Sequence, residues 1–405
     1  VTGPEIAELV ARIHADGSTR GVLYLTGGGS EVLPMLLARG GGSNTLLSAR
    51  IPYAPEDFRA TLGGDLGRLV DARAARGLAM AALRHALAIR GGIAPSRLFG
   101  IGATSKLAKA GTERAERTHE IHAALQTSRR TLLRSLALPG DMNRPWEERI
   151  TALIILDLVA RAKGLEPADR FVHGDWMLRA DSITDTFADA ETCRHPELPL
   201  LFEGERSWVA YDLAGETFGP ASPDADAPRL LLPGSFRPLH DGHASMAEVA
   251  SRIVGSPCAY ELSLFHPEKP PLDYVAIASR LAGFRGRAGR LYLSNAPTYV
   301  EKARVFPGCV FAVGLDTALR IVDPRFYPGI AGRDAALAEF AALEGRLLVF
   351  GRVDAAGRFL ELDPDAFETG VASFFRSVAT PVPEALFRLD VSSTEVRQRS
   401  GIDPA

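Results

Sequence analysis

At 405 residues with 46% hydrophobic content, the chain can bury two full-sized cores, and this favours two or three domains over one. Lysine and arginine number 46 against 49 acidic residues, a net charge of −3, so no basic excess points to a nucleic-acid partner and a small-molecule substrate is the better expectation. Cys193, Cys258 and Cys309 are too few and too scattered for a zinc cluster or disulfide framework, no apolar run reaches membrane-spanning length, and no signal pattern opens the chain, so a cytoplasmic protein with reduced thiols and no membrane partner is expected.

Apolar spacing predicts a helix over 6–13, then a short buried strand over 21–25 that runs into Gly27-Gly28-Gly29-Ser30 and a helix from about Glu31. A strand over 45–49, helices over 55–62 and 68–90, and a strand over 97–102 continue the alternation. An antiparallel pair over 120–127 and 131–138 and an amphipathic helix over 146–162 close a first α/β domain, 1–164. Residues 165–228 change character. They lack sustained periodicity, hold two of the three tryptophans, and end in a Pro/Asp/Ala-rich stretch over 220–228 that reads as a linker, while the part before it, including Ser207 to Leu213, fits a small β-rich insertion or an extension packed on either neighbour. From Arg229 the alternation resumes, with strands over 230–232, 290–294, 309–313 and 346–350 and helices over 243–253, 272–281 and 317–321. This is a second α/β domain with a parallel sheet, 229–405.

Chemistry concentrates at the start of that second domain. In Leu232-Pro233-Gly234-Ser235-Phe236-Arg237-Pro238-Leu239-His240-Asp241-Gly242-His243 a buried strand feeds a glycine-containing turn and then a helix, whose free N–H groups and positive dipole end suit an anion. His240 and His243 stand three apart, and Gly242 has no side chain to hold a phosphate off. Far downstream, Ser392-Ser393-Thr394-Glu395-Val396-Arg397 offers hydroxyls ahead of a short helical pattern and a guanidinium one turn in, the makings of a second anion site. Between the two, Gly314-Leu315-Asp316 puts an acid at the C-terminal end of a strand, where open α/β sheets place ligands.

These three segments, in this order over 229–400, resemble the HxGH nucleotidyltransferase superfamily, and within it the nicotinamide or nicotinate mononucleotide adenylyltransferases and their cytidylyltransferase-like relatives. The resemblance implies a Rossmann-like domain in which His240 and His243 contact nucleotide phosphates and Gly234, Ser235 and Phe236 supply backbone contacts. It also implies that Ser392, Ser393, Thr394 and Arg397 hold the β and γ phosphates, with Gly314 and Asp316 facing the nucleoside. Lys302 and Arg352 are weaker candidates as further phosphate cations and fit ordinary surface charges equally well. The implied reaction is in-line attack by an acceptor phosphate on the α-phosphorus of a nucleoside triphosphate, assisted by His243, Arg397 and Mg²⁺ that travels with the triphosphate.

The first domain, over about 3–162, resembles the CinA C-terminal family, which includes nicotinamide-nucleotide amidohydrolases. The resemblance rests on Thr26 to Ser30, Tyr53, Gly100 to Thr104 and Pro139-Gly140-Asp141 with Arg144. Where that family carries Glu-Ser-Cys-Thr-Gly-Gly, this chain reads Leu23, Tyr24, Leu25, Thr26, Gly27, Gly28, and no lysine follows Tyr53, so hydrolysis by the family route is not expected. The glycines equally fit a tight turn with no ligand, and Ser30 a helix cap. An adenylyltransferase, a CTP-dependent cytidylyltransferase acting on a phosphorylated alcohol or phosphonate, and a non-catalytic nucleotide-binding scaffold all stay open. The expected partners are ATP or CTP and a small phosphorylated acceptor, in a homo-oligomer.

Overall fold

The computed structural model describes residues 3–64, 67–109, 118–138, 143–166, 195–214, 227–266, 270–354 and 356–388, together with the backbone of strands 184–190 and 217–220. The first unit is built from α1 (Gly3–Ala15), β1 (Arg20–Thr26), α2 (Val32–Leu37), β2 (Leu46–Arg50), α3 (Pro55–Leu62), α4 (Ala72–Ile89), β3 (Leu98–Lys106), β4 (His119–Thr127), β5 (Thr131–Leu138), α5 (Arg144–Ala162) and β6 (Thr184–Ala190). Its strands run β2-β1-β3-β4-β5-β6 across one sheet, the first three parallel and the rest antiparallel.

Local chemistry sets several of these elements. Ile6, Leu9, Val10 and Ile13 fall at helical spacing and are the buried stripe of α1. Asp71 caps α4 by accepting the Ala74 N–H at 2.7 Å, and Asn143 caps α5 by accepting that of Trp146 at 3.0 Å. Gly100 and Gly102 let α4 lie directly on β3, since a Cβ at either would fall 2.2–2.3 Å from the helix backbone. One expectation needs correction. The helix α5 is not amphipathic: residues 150–160 are buried all round, because β3 and β4 cover one side and α1 and α2 pack on the other. Its one acid in that run, Asp157, is held by Arg161 at 3.0 Å and faces Arg134 at 3.9 Å.

The second unit comprises α6 (Leu198–Glu203), β7 (Trp208–Ala214), β8 (Thr217–Pro220), β9 (Leu230–Pro233), α7 (Asp241–Val254), β10 (Ala259–Ser263), α8 (Tyr274–Ala282), β11 (Ala288–Ser294) and α9 (Tyr299–Val305). It continues through β12 (Val310–Gly314), α10 (Leu315–Ile321), α11 (Gly329–Ala342), β13 (Arg346–Phe350), β14 (Arg352–Val353), β15 (Phe359–Leu360), α12 (Thr369–Val378) and β16 (Ala379–Val382). The main sheet runs β16-β13-β12-β9-β10-β11-β7-β8, parallel through β11 and antiparallel at β7 and β8. Counted within the parallel part, this is the order 6-5-4-1-2-3 of a doubly wound Rossmann-type sheet. Successive residues of β9 serve opposite faces: Leu230 and Leu232 join the core beneath α7 and α8, and Leu231 joins the core beneath α9 to α12.

The described part of residues 165–228 extends both neighbours rather than forming an insertion of its own. Its first described strand, β6, pairs with β5 and extends the first sheet, whereas α6, β7 and β8 belong to the second, where β7 pairs with β11. The two units pack closely. Met80 of α4 is buried in the core of the second unit, Arg76 pairs with Asp273 at 3.0 Å, and the Tyr274 hydroxyl donates to the Ser128 carbonyl at 2.5 Å. Among the described residues no helix is long and apolar enough to cross a membrane.

Candidate functional site

In a doubly wound sheet, the strand order reverses between the first and fourth strands, and the crevice beyond their C-terminal ends is where such sheets bind ligands. Here those strands are β9 and β12. The turn Gly234 to His240 leaves β9 there, and Gly314 and Asp316 leave β12 there, so sites 80 residues apart in sequence (234 to 314) border one crevice.

Phe236 fixes the shape of the turn. Its φ of 44° is left-handed, which costs a non-glycine residue about 1–2 kcal/mol, and packing holds it there: the ring is 3% exposed and meets Tyr260, Phe284 and His243 edge to face at 5.5, 5.2 and 5.3 Å. Gly234 makes room for that ring, since a Cβ there would lie 2.7 Å from it. The side chain of Phe236 is thus core, and any ligand contact it makes is through backbone. Ser235 turns its carbonyl to Arg280, whose Nε donates at 2.9 Å.

His240 stands at the N-cap of α7, Gly242 is buried in the first turn, and His243 follows. The two imidazoles lie 3.8 Å apart, tilted 35°, and the His240 backbone N–H donates to His243 Nδ1 at 3.3 Å. With Nδ1 accepting, the neutral His243 ring carries its proton on Nε2, so it is a fixed donor. Burial first, then the neighbouring His240, pushes the His243 pKa down to about 3, and burial also lowers that of His240. Both rings are therefore neutral near pH 7.

A stability consequence follows. The folded pKa of His243 lies below its unfolded value of 6.5, so its contribution is fully present above pH 6.5 and is lost as pH falls toward about 3, at no more than roughly 1.4 kcal/mol per pH unit. Thermal midpoints measured from pH 7 to 5 should fall less steeply for a His243→Asn variant than for the parent, and parallel profiles would contradict the assignment.

Asp316 and Arg352, expected as separate ligands, are brought together: their side chains pair at 3.1 Å on the β12–β13 side of the turn, each more than half exposed. Such a pair adds little to stability and is free to reorganise around a ligand. Lys302 is a correction. It is 4% exposed, and its Nζ donates to both oxygens of the buried Glu261 at 2.9 and 2.8 Å and to the Ala296 carbonyl at 2.8 Å. All three donors are used inside the protein, so Lys302 is a structural cation rather than a phosphate contact. Ser392, Ser393, Thr394 and Arg397 lie outside the described residues.

The other flank of the turn carries a group that sequence reading passed over. Arg280 ends α8, and burial, followed by the charges of Arg237 and Arg73, pushes its pKa down to about 10; Asp273 opposes this and Arg76 adds to it. Arg73 and Arg76 belong to α4 of the first unit. No linear pattern marks these arginines, because they come together only when α4 packs on the second unit. Arg287 reaches Asp241 at 3.1 Å.

In the first unit, Gly27, Gly28 and Gly29 are required by packing. A Cβ on Gly27 would fall 1.9 Å from the Ser105 carbonyl, and Gly27 and Gly29 have φ of 83° and 85°. The turn's donors are satisfied from within: Glu148 accepts the Gly29 N–H at 2.9 Å, the Ser30 hydroxyl at 2.7 Å and the Glu31 N–H at 3.3 Å. Tyr53 is 70% exposed. An open cleft of about 290 Å³ lies between the two units, lined in part by Arg84, Leu87, Phe202 and Phe265, and includes no residue of the β9 turn.

No family model matches the chain, and no curated protein does. Among solved structures it is similar to the crystal structure of the competence/damage inducible protein CihA from Agrobacterium tumefaciens, at 20% identity over 40% of this chain and 98% of that one, with a TM-score of 0.33. A likeness at that level carries no functional argument, and the reading of the site rests on its own residues.

Proposed function

We propose that the chain is a nucleotidyltransferase that transfers AMP from ATP to nicotinamide or nicotinate mononucleotide and releases pyrophosphate. One observation carries the reading: the neutral His240–His243 pair, on a strained turn at a helix start, sits at the strand-order reversal of a doubly wound sheet, opposite Asp316 and Arg352. An oxygen of the acceptor phosphate attacks the α-phosphorus, the bond from that phosphorus to the β-phosphate bridging oxygen breaks, and pyrophosphate leaves with the electron pair. No covalent intermediate with the protein is needed. The turn holds the triphosphate in line, and the Nε2–H of His243 stabilises charge that develops on the α-phosphate. The groups at the turn are mainly hydrogen-bond donors, and Arg352 engages the nearby acid, so Mg²⁺ would be held by the triphosphate and would neutralise its charge. The choice of ATP and a pyridine mononucleotide rests on the resemblance of the Gly234 to His243, Gly314 to Asp316 and Ser392 to Arg397 segments to that family.

The test is pyrophosphate release from ATP or CTP with each acceptor. Release with ATP and either mononucleotide is expected. Release only with CTP and a phosphorylated alcohol or phosphonate would replace the substrate assignment while keeping the reaction, and no release with any pair would favour a nucleotide-binding scaffold.

A further inference from the structure

The junction of the two units holds a cleft of about 290 Å³ that the transferase reading does not use. The helix α4 of the first unit contributes Arg84 and Leu87, with Arg90 just past its end, and the second unit contributes Glu203, Phe265 and Asn295. Glu203 ends α6, while Phe265 and Asn295 follow β10 and β11, so the cleft lies beside the carboxyl ends of those strands, the edge where doubly wound sheets take ligands. Arg84 crosses the junction to lay its guanidinium over the Phe265 ring at 4.7 Å.

Two of these residues carry acceptors that nothing satisfies. Glu203 Oε1 and Asn295 Oδ1 are both shielded from water and both without a hydrogen-bond partner. Such atoms are costly, because they have given up water and received no donor in return. The Asn295 amide has no freedom to turn the other way: its Nδ2 donates to the Leu201 carbonyl at 2.5 Å and to that of Arg206 at 3.4 Å, which fixes the oxygen as the unsatisfied atom. The first of those bonds also holds Asn295 against α6, two residues before Glu203.

Charge repeats the pattern. Among the described residues, neither Glu203 nor Arg84 nor Arg90 forms an ion pair, although all three line one cleft. The acid comes from the second unit and the guanidiniums from the first, so the cleft separates opposite charges that do not meet. A ligand that bridges them needs a cationic donor at one end, an anion at the other and an apolar body for Leu87 and Phe265. An ammonium has three N–H donors and a charge to balance Glu203, which a neutral amide or amino group lacks. A carboxylate matches the forked donors of Arg84 and Arg90. The volume falls just under the ~300–1,000 Å³ of sites for drug-sized ligands, and so suits a smaller molecule.

We propose that this cleft binds a free α-amino acid with a large apolar side chain, its ammonium on Glu203 and Asn295 and its carboxylate on Arg84 and Arg90. Bound there, the amino acid ties the first unit to the second through charges that neither unit satisfies alone. No residue of the β9 turn lines the cleft, so this site and the transferase reading stand or fall separately.

The full chain is titrated calorimetrically with L-phenylalanine and L-leucine, with phenylpropionate, which lacks the ammonium, and with phenethylamine, which lacks the carboxylate. At least one amino acid should bind saturably and raise the thermal midpoint, and both partial ligands should bind weaker than phenylalanine by about 10-fold or more. Glu203→Gln and Arg84→Ala should each weaken amino-acid binding by about 10-fold or more. The ligand-free midpoint of Glu203→Gln should equal or exceed that of the parent, because the charge removed has no partner to lose. A Glu203→Gln midpoint well below the parent's means that the carboxylate is already satisfied within the protein, and it overturns the site. So does amino-acid binding that either variant leaves unchanged, a partial ligand that binds as tightly as phenylalanine, or no binding of either amino acid at millimolar concentration.

Discussion

Replacing His243 by alanine is expected to lower pyrophosphate release by about two to three orders of magnitude, mostly through kcat, with the fold retained. The argument starts from the tautomer. The His240 backbone N–H occupies Nδ1 of His243, so the proton sits on Nε2, and burial keeps the ring neutral well below pH 7. A neutral, fixed donor contributes little to binding an already charged triphosphate in water. It contributes most where new charge appears on the α-phosphate in the transition state, which places its effect in kcat rather than KM. His243→Asn keeps an N–H donor on a shorter side chain and should retain more activity than His243→Ala. Binding of a non-hydrolysable ATP analogue should change only a few-fold in either variant. Pyrophosphate release undiminished in His243→Ala would remove His243 from the mechanism.

Much of this site is legible in the chain because its parts are local. A glycine turn between an apolar strand and a helix can be read from a dozen consecutive residues, and the structure places Gly234 to His243 in that setting, between β9 and α7. Gly314 is legible for the same reason, as the end of β12, and Asp316 follows it in the first turn of α10. What sequence cannot carry is the partner each charge meets. Lys302 and Arg352 look alike in the chain, yet one is buried on Glu261 and the other is exposed on Asp316, and the difference is made by residues distant in sequence. Periodicity failed at α5, where apolar residues fill consecutive positions and burial on all sides replaces a single stripe. It also missed β10, a five-residue strand without alternation, and could not say which sheet the β-rich stretch at β7 joins, because that strand pairs with β11 rather than with its neighbours in sequence. The arginine group around Arg280 is further from view, because half of it comes from another unit.

The Lys302 pair gives the largest expected effect on stability. Lys302→Met should destabilise the second unit by about 3–5 kcal/mol, because it leaves the Glu261 carboxylate, 1% exposed, without its counter-charge in a site that water does not reach. The Ser294 hydroxyl, which donates to the same carboxylate at 2.5 Å, cannot replace an ammonium that satisfies both oxygens. For a domain of this size the loss corresponds to a fall in Tm on the order of 10 °C. Combining Lys302→Met with Glu261→Leu removes both charges and should recover much of the loss, since a buried pair replaced by apolar side chains of similar volume costs far less than one broken in half. The same pair of variants separates structure from catalysis. If Lys302 touched the triphosphate, the single variant would raise KM for ATP at an unchanged Tm, and the double variant would not restore it. A buried strut gives the reverse, a lowered Tm that the second substitution largely repairs, because Lys302 ties β10 to the start of α9 and through it supports the edge of the crevice.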